Sequence, residues 1–371
     1  MGNKALPIVS ERQRILAPLN MQYSSTITRD LPRDTVLKYL TITISGAFDY
    51  TFATATPLSQ QFTIMDALIA DISVVVNGSN TVKNIRPWML AMQQLLFTAN
   101  PNVRQSQAAA TAALAYPPNA DAGFVFGTTG QFTGIRESVL MAFENIAAKT
   151  GREATWLNLK GVASAEIRFS TKALTGLVSN ASTATALVFG VSAQSVQLEI
   201  RTIEAQDVDA ATYFSFFKQT QKSIQFSGQS NNYLIDINRG NSLQGIMLLC
   251  QNGQASATVD PLLTDDLIQD FSFKLNGQTE IKANTWLGLK EENISRFGAN
   301  APLAAGASRL KGFAYLDFLR DGNLNTTLQV APPDVDNAQL SVTTQAASAR
   351  TIYGATAPAL LTIVTNEIVT P

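Results

Sequence analysis

Residues 66–83 read DALIADISVVVNGSNTVK, and residues 265–282 read DDLIQDFSFKLNGQTEIK. At a constant offset of 199, the two stretches share Asp66/Asp265, Leu68/Leu267, Ile69/Ile268, Asp71/Asp270, Ser73/Ser272, Asn77/Asn276, Gly78/Gly277 and Lys83/Lys282. In the first, Ile72, Val74 and Val76 alternate with Asp71, Ser73 and Val75. In the second, Phe271, Phe273 and Leu275 alternate with Asp270, Ser272 and Lys274. A period of two places one set on each face of a β-strand. Both strands run into Asn-Gly, which tolerates the positive φ of a tight hairpin turn. A hairpin that occurs twice predicts a duplicated β-unit.

Three weaker echoes flank the hairpin in the same order. Tyr39-Leu40 with Gly46 matches Tyr233-Leu234 with Gly240, at an offset of 194. Leu159-Lys160-Gly161 matches Leu310-Lys311-Gly312, at 151, and Leu198, Ile200 and Thr202 match Leu361, Ile363 and Thr365, at 163. The fall from 199 to 151 predicts 48 extra residues in the first copy, an insertion at about residues 86–150. Loops accommodate additions of that size. Pro87 is placed to open a helix over 88–97, and Thr285 to cap one over 286–297. Leu140, Phe143, Ile146 and Ala147 predict a third helix over 136–150. Trp88, Trp156 and Trp286 read as core anchors. Tyr213, Phe214, Phe216 and Phe217 mark a rigid joint between the copies.

Composition narrows the function. The 371 residues contain no histidine and one cysteine. Ser-His and Cys-His nucleophilic sites, His-ligated metals and intramolecular disulfides are therefore excluded. Cys250, in an apolar run, reads as a buried hydrophobe. Charged residues make up 15% and the net charge is -1. No global field attracts nucleic acid, and a polar, weakly charged surface suits a chain covered by neighbours. The first twenty residues carry Lys4, Glu11, Arg12, Arg14 and two prolines in place of an apolar run. A soluble protein made in a cytoplasm, without a secretory signal or spanning helix, is expected. No lysine follows the glycines at 127 and 130 as a phosphate loop needs. Asp334-Val-Asp336-Asn337 lacks the glycine and glutamate of a calcium loop, and no cofactor is predicted.

Short antiparallel strands in two copies predict an all-β chain of two tandem units, sandwiches or barrels. With its helix after each hairpin, the pattern resembles the double jelly-roll major capsid proteins of tailless icosahedral viruses, the lineage of membrane-containing bacteriophages and adenovirus hexons. The residues that carry the resemblance are the 66–83 and 265–282 blocks and the Leu-Lys-Gly pairs. It implies two tandem eight-stranded jelly-roll barrels with short helices and an N-terminal arm. The expected boundaries are an arm at 1–35, a first roll at 36–206, a linker at 207–221 and a second roll at 222–371.

The resemblance further implies a structural subunit rather than an enzyme. Three copies would form a pseudo-hexagonal capsomer, and capsomers would tile an icosahedral shell in the virion. Partners would be the chain itself, neighbouring capsomers, and penton and minor capsid proteins, with no sequence-specific nucleic acid. Residues 1–38 hold six positive and three negative side chains. Lys4, Arg12 and Arg14 are the candidate interaction residues of the arm, toward neighbouring tiles or an internal membrane. Two other classes fit less well: a tandem jelly-roll glycan-cleaving enzyme and a trimeric carbohydrate-binding spike or vertex protein.

Overall fold

The computed structural model describes residues 11–48, 50–51, 64–98, 103–107, 133–174, 188–189, 195–206, 215–253, 263–297, 310–319, 322–323, 327–346, 352–354 and 357–370. Sixteen principal strands form two sets of eight. The first set is β1 (Glu11–Ile15), β2 (Thr26–Asp30), β3 (Val36–Phe48), β4 (Ile69–Val76), β5 (Asn80–Ile85), β6 (Thr133–Ala142), β7 (Ala165–Thr171) and β8 (Gln197–Ala205). The second is β9 (Phe216–Phe226), β10 (Tyr233–Asp236), β11 (Ser242–Gln251), β12 (Ile268–Leu275), β13 (Thr279–Thr285), β14 (Phe313–Asp317), β15 (Ala338–Thr344) and β16 (Ala359–Val369). After the hairpin of each set comes a helix, α1 (Pro87–Thr98) or α2 (Trp286–Phe297).

The strand orders reveal the architecture. In the first set they run β1-β8-β3-β6, with Val103–Gln107 as a further edge strand on β6, and β2-β7-β4-β5; in the second, β9-β16-β11-β14 and β10-β15-β12-β13. Adding eight to each label turns one set into the other. Both are jelly rolls, in which two four-stranded sheets face each other across a core. The rolls share a sheet edge. β5 pairs with β9 in parallel, Lys83 opposite Gln219 and Asn84 opposite Thr220, so one sheet runs through both. No helix among the described residues is long and apolar enough to cross a membrane.

The local devices are those the sequence indicates. Asn77 and Gly78 have φ of 54° and 75°, and Asn276 and Gly277 have 53° and 68°. The Thr285 hydroxyl accepts the Gly288 N–H at 3.1 Å and caps α2. Trp88, Trp156, Trp286 and Cys250 are buried.

Several expectations are corrected. β1 and β2, which lie within the expected arm at 1–35, pair with β8 and β7 of the first set. Each is short and rich in polar residues, and each finds its partner more than a hundred residues later. The expected helix over 136–150 is instead β6 followed by turns. Ten residues of β6 pair with β3, and Glu137, Val139 and Met141 are buried on one face. β9 starts at Phe216, so residues 216–221 of the expected 207–221 linker are strand; residues 207–214, with Tyr213 and Phe214, lie outside the described residues.

Two of the echoes join non-equivalent places. Tyr39 is in the third strand of its roll and Tyr233 in the second of its own. The Leu-Lys-Gly blocks precede the seventh strand of one roll and the sixth of the other. What those two blocks share is a positive-φ glycine, Gly161 and Gly312, which turns generally favour. The last strands, β8 and β16, are equivalent at offset 163, so the excess between hairpin and last strand is 36 residues (199 less 163). Part of it falls between helix and sixth strand, at 99–132 against 298–312.

Candidate assembly surfaces

The recurring aspartates anchor the start of each helix. Asp66 takes both arms of the Arg86 guanidinium at 2.6 Å and accepts the Trp88 N–H at 3.1 Å. Burial pushes the Asp66 carboxyl up, but the charges of Arg86 and Lys172 overcome it and hold the group below its usual range. In the second roll, Asp265 accepts the Trp286 indole N–H at 3.0 Å, the Lys290 ammonium at 2.5 Å and the Gly312 N–H at 2.9 Å. One position thus serves one purpose through two sets of donors.

From this anchor a polar seam extends between the rolls. The Arg86 guanidinium also donates to Gln251 Oε1 at 2.7 Å, and the Arg86 N–H to Gln221 Oε1 at 2.7 Å. Lys83 is fully buried, donates to Gln219 Oε1 at 3.0 Å and lies 3.8 Å from the centre of the Phe217 ring. Burial pushes its pKa well below the usual lysine value. Gln219 passes the bonding on to Gln93 and Asn366 at 3.0 and 2.9 Å. These amides satisfy buried polar atoms that a purely apolar joint would strand.

An aromatic cluster covers one end of the seam. Phe97 meets Phe297 edge-to-face at 4.9 Å and Tyr315 at 5.0 Å. Tyr315 fits because residue 245 is glycine: a Cβ there would lie 2.2 Å from its hydroxyl. Met247, Leu249 and Val364 of the second roll belong to the apolar core of the first. Sequence reading placed only the aromatic residues near 216 at the joint. The amides of β9 (Gln219, Gln221) carried a signal in their alternation, but exposed strands show the same pattern.

The predicted interaction residues fall into different places. Arg12 and Arg14 are on β1, where both engage buried Glu204 and Asp34. The Glu204 carboxylate also accepts from the Thr202 hydroxyl at 2.5 Å. Thr365 and Glu367 repeat this contact at 2.9 Å in the second roll. The hydrogen bond from Arg14 holds the Asp34 carboxyl below its usual range. Lys4 lies outside the described residues. An open groove of about 710 Å³ beside β1 is lined by Arg14, Asp30, Arg33 and Asp34, opposite charges that neutralise one another.

Among the described residues, no three His, Cys, Asp or Glu side chains gather as a metal site. The 334–337 segment wraps Asn276 instead: its Oδ1 accepts the Asp336 N–H at 2.7 Å, and its amide donates to the Asp334 carbonyl at 3.0 Å.

No family model and no curated protein matches the sequence. The structure does match solved ones. Against the major capsid protein of Sulfolobus turreted icosahedral virus the TM-score is 0.65 at 10% identity, over 98% of this chain and 97% of that one. For the major capsid protein of bacteriophage PM2 it is 0.55 at 10% identity, over 97% of each chain. For the Faustovirus major capsid protein it is 0.57 at 10% identity, over 100% and 92%. The chain has the double jelly-roll fold of these viral major capsid proteins.

Proposed function

We propose that this chain is the major capsid subunit of an icosahedral virion and that three copies form a pseudo-hexagonal capsomer. The observation that carries the reading is the pair of rolls with identical strand order, joined edge to edge through β5 and β9. Two similar halves per chain give a three-fold ring six similar units, the shape that fills a six-coordinated lattice position. The role is structural: a tile, whose partners are its own copies and the penton and minor proteins of the shell.

Light scattering with negative-stain imaging tests this. A particle of about 120 kDa, three times the 39.9 kDa chain, with a hexagonal outline is the expected result. A stable monomer that forms no larger assembly would overturn it. Lys4 is the candidate for contact with neighbouring tiles or lipid. Deletion of residues 2–10 should weaken co-flotation of the capsomer with anionic liposomes, and unchanged flotation would remove the lipid role.

A further inference from the structure

The surface that each roll offers beside its hairpin is covered in the first roll and bare in the second. In the first, Val82 and Lys83 of β5 and Met89, Gln93 and Leu96 of α1 are all buried. Strand β9 borders this face: Phe217 stacks on Lys83, Gln219 bonds Lys83 and Gln93, and Gln221 accepts from Arg86. The hairpin offset makes Ile281 and Lys282 the counterparts of Val82 and Lys83. Superposing the anchored tryptophans, Trp88 and Trp286, makes Leu287, Glu291 and Ile294 the counterparts of Met89, Gln93 and Leu96. Ile281 is 39% exposed, Leu287 65% and Ile294 36%, where their counterparts are at most 1%. Strand β13 ends its sheet, and its outer edge has no strand partner among the described residues.

The first roll carries the matching occupant. β1 and β9 are each the first strand of a roll, and each pairs antiparallel with the last. Arg14 faces Thr202 as Thr220 faces Thr365, and the Thr202–Glu204 and Thr365–Glu367 contacts fix the equivalence. Glu11, Gln13 and Ile15 therefore stand where Phe217, Gln219 and Gln221 stand. All three are exposed, Ile15 to 68%. Gln13 repeats Gln219, and Glu11, which pairs with Lys38 at 2.6 Å, stands where the ring lies over Lys83; Lys282 itself pairs with Glu292 at 2.5 Å.

We propose that the β13 edge and the outer face of α2 receive β1 of a second copy of this chain, just as β5 and α1 receive β9 within it. Gln13 lies opposite Lys282 and Arg14 opposite Ala283, in parallel register, with Ile15 against the Leu287 end of the helix. The contact is head-to-tail, the kind that three copies of the proposed capsomer would repeat around a three-fold axis. It deepens the capsomer reading and rests on it.

The test co-expresses Gln13→Cys and Lys282→Cys chains carrying tags of different length, then oxidises the purified oligomer. Native Cys250 is buried and does not interfere. A covalent heterodimer, absent when either variant is expressed alone, is the expected result. A trimer by light scattering that yields no heterodimer overturns this interface and leaves the capsomer reading standing. A monomeric wild-type chain overturns both. As a second measurement, Leu287→Asp, a change at an exposed position, should abolish the oligomer and leave a folded monomer with the wild-type far-ultraviolet circular dichroism spectrum. A trimer that survives this change counts against the proposal.

Discussion

Lys83 of the first roll and Gln219 of the second are register partners across the parallel β5–β9 pair and are hydrogen-bonded at 3.0 Å. The amine is wholly buried, and among the described residues no carboxylate pairs with it. Its folded-state pKa is lowered well below the usual 10.5 by that burial. Between the lowered value and 10.5 the unfolded chain holds a proton that the folded chain does not. Stability contributed by this site therefore rises with pH across that window. Lys83→Met should remove this dependence. The stability difference between wild type and variant should shift in favour of wild type by about 1.4 kcal/mol per pH unit inside the window. Thermal unfolding of both proteins at pH 7 and 10 measures it; parallel changes would contradict the assignment.

Asp66 and Asp265 occupy the same repeat position but are buried to different depths. Asp66→Asn leaves Arg86 without its buried counter-charge and should cost about 3–5 kcal/mol. Asp265→Asn, at a site still 28% exposed, should cost about 1 kcal/mol. The Asp66 contribution is complete above the ordinary carboxylate value of 3.8 and is lost as pH falls through the lowered folded value. Urea unfolding at pH 7 and pH 3 compares the two variants. Equal costs would refute the difference in depth.

Gly245→Ala drives a methyl group into the Tyr315 ring, which packs against Phe97 and Phe297 between the rolls. A loss of about 1–3 kcal/mol is expected from such overpacking. Tyr315→Leu should recover part of it in the double variant. Additive losses would show that the two residues do not share the space.

Glu204→Ala leaves Arg12 and Arg14 without their buried partner on β8. The expected result is faster amide exchange across Glu11–Ile15, with Ala359–Val369 unchanged. Equal protection of the first strand in both proteins would show that backbone pairing alone holds it.

The sequence made the repeated hairpin legible because three local rules coincided: period-two alternation, an Asn-Gly turn and an adjacent helix start. Those rules act within about twenty residues. The first strand escaped because Glu11, Arg12, Gln13 and Arg14 look like a solvated arm until Glu204 is brought opposite them. At β6, Leu140, Phe143, Ile146 and Ala147 have the spacing of a helix. Its strand state is set by ten residues of pairing with β3. The seam was the least legible part. Gln219, Gln221 and Gln251 differ from surface amides only in what the second roll places against them.

The shared β5–β9 edge also orders events during synthesis. The first roll has all its own strands once residue 205 is made, yet its β5 edge is uncovered until 216–226 follow. That covering strand in turn pairs with 359–369, the last strand of the chain. A nascent chain interrupted anywhere in the second half therefore keeps an open sheet edge, a site for unwanted pairing. β5 is thus covered by 216–226, and the far edge of 216–226 by 359–369, so the sheet through both rolls is continuous only once the second roll is made.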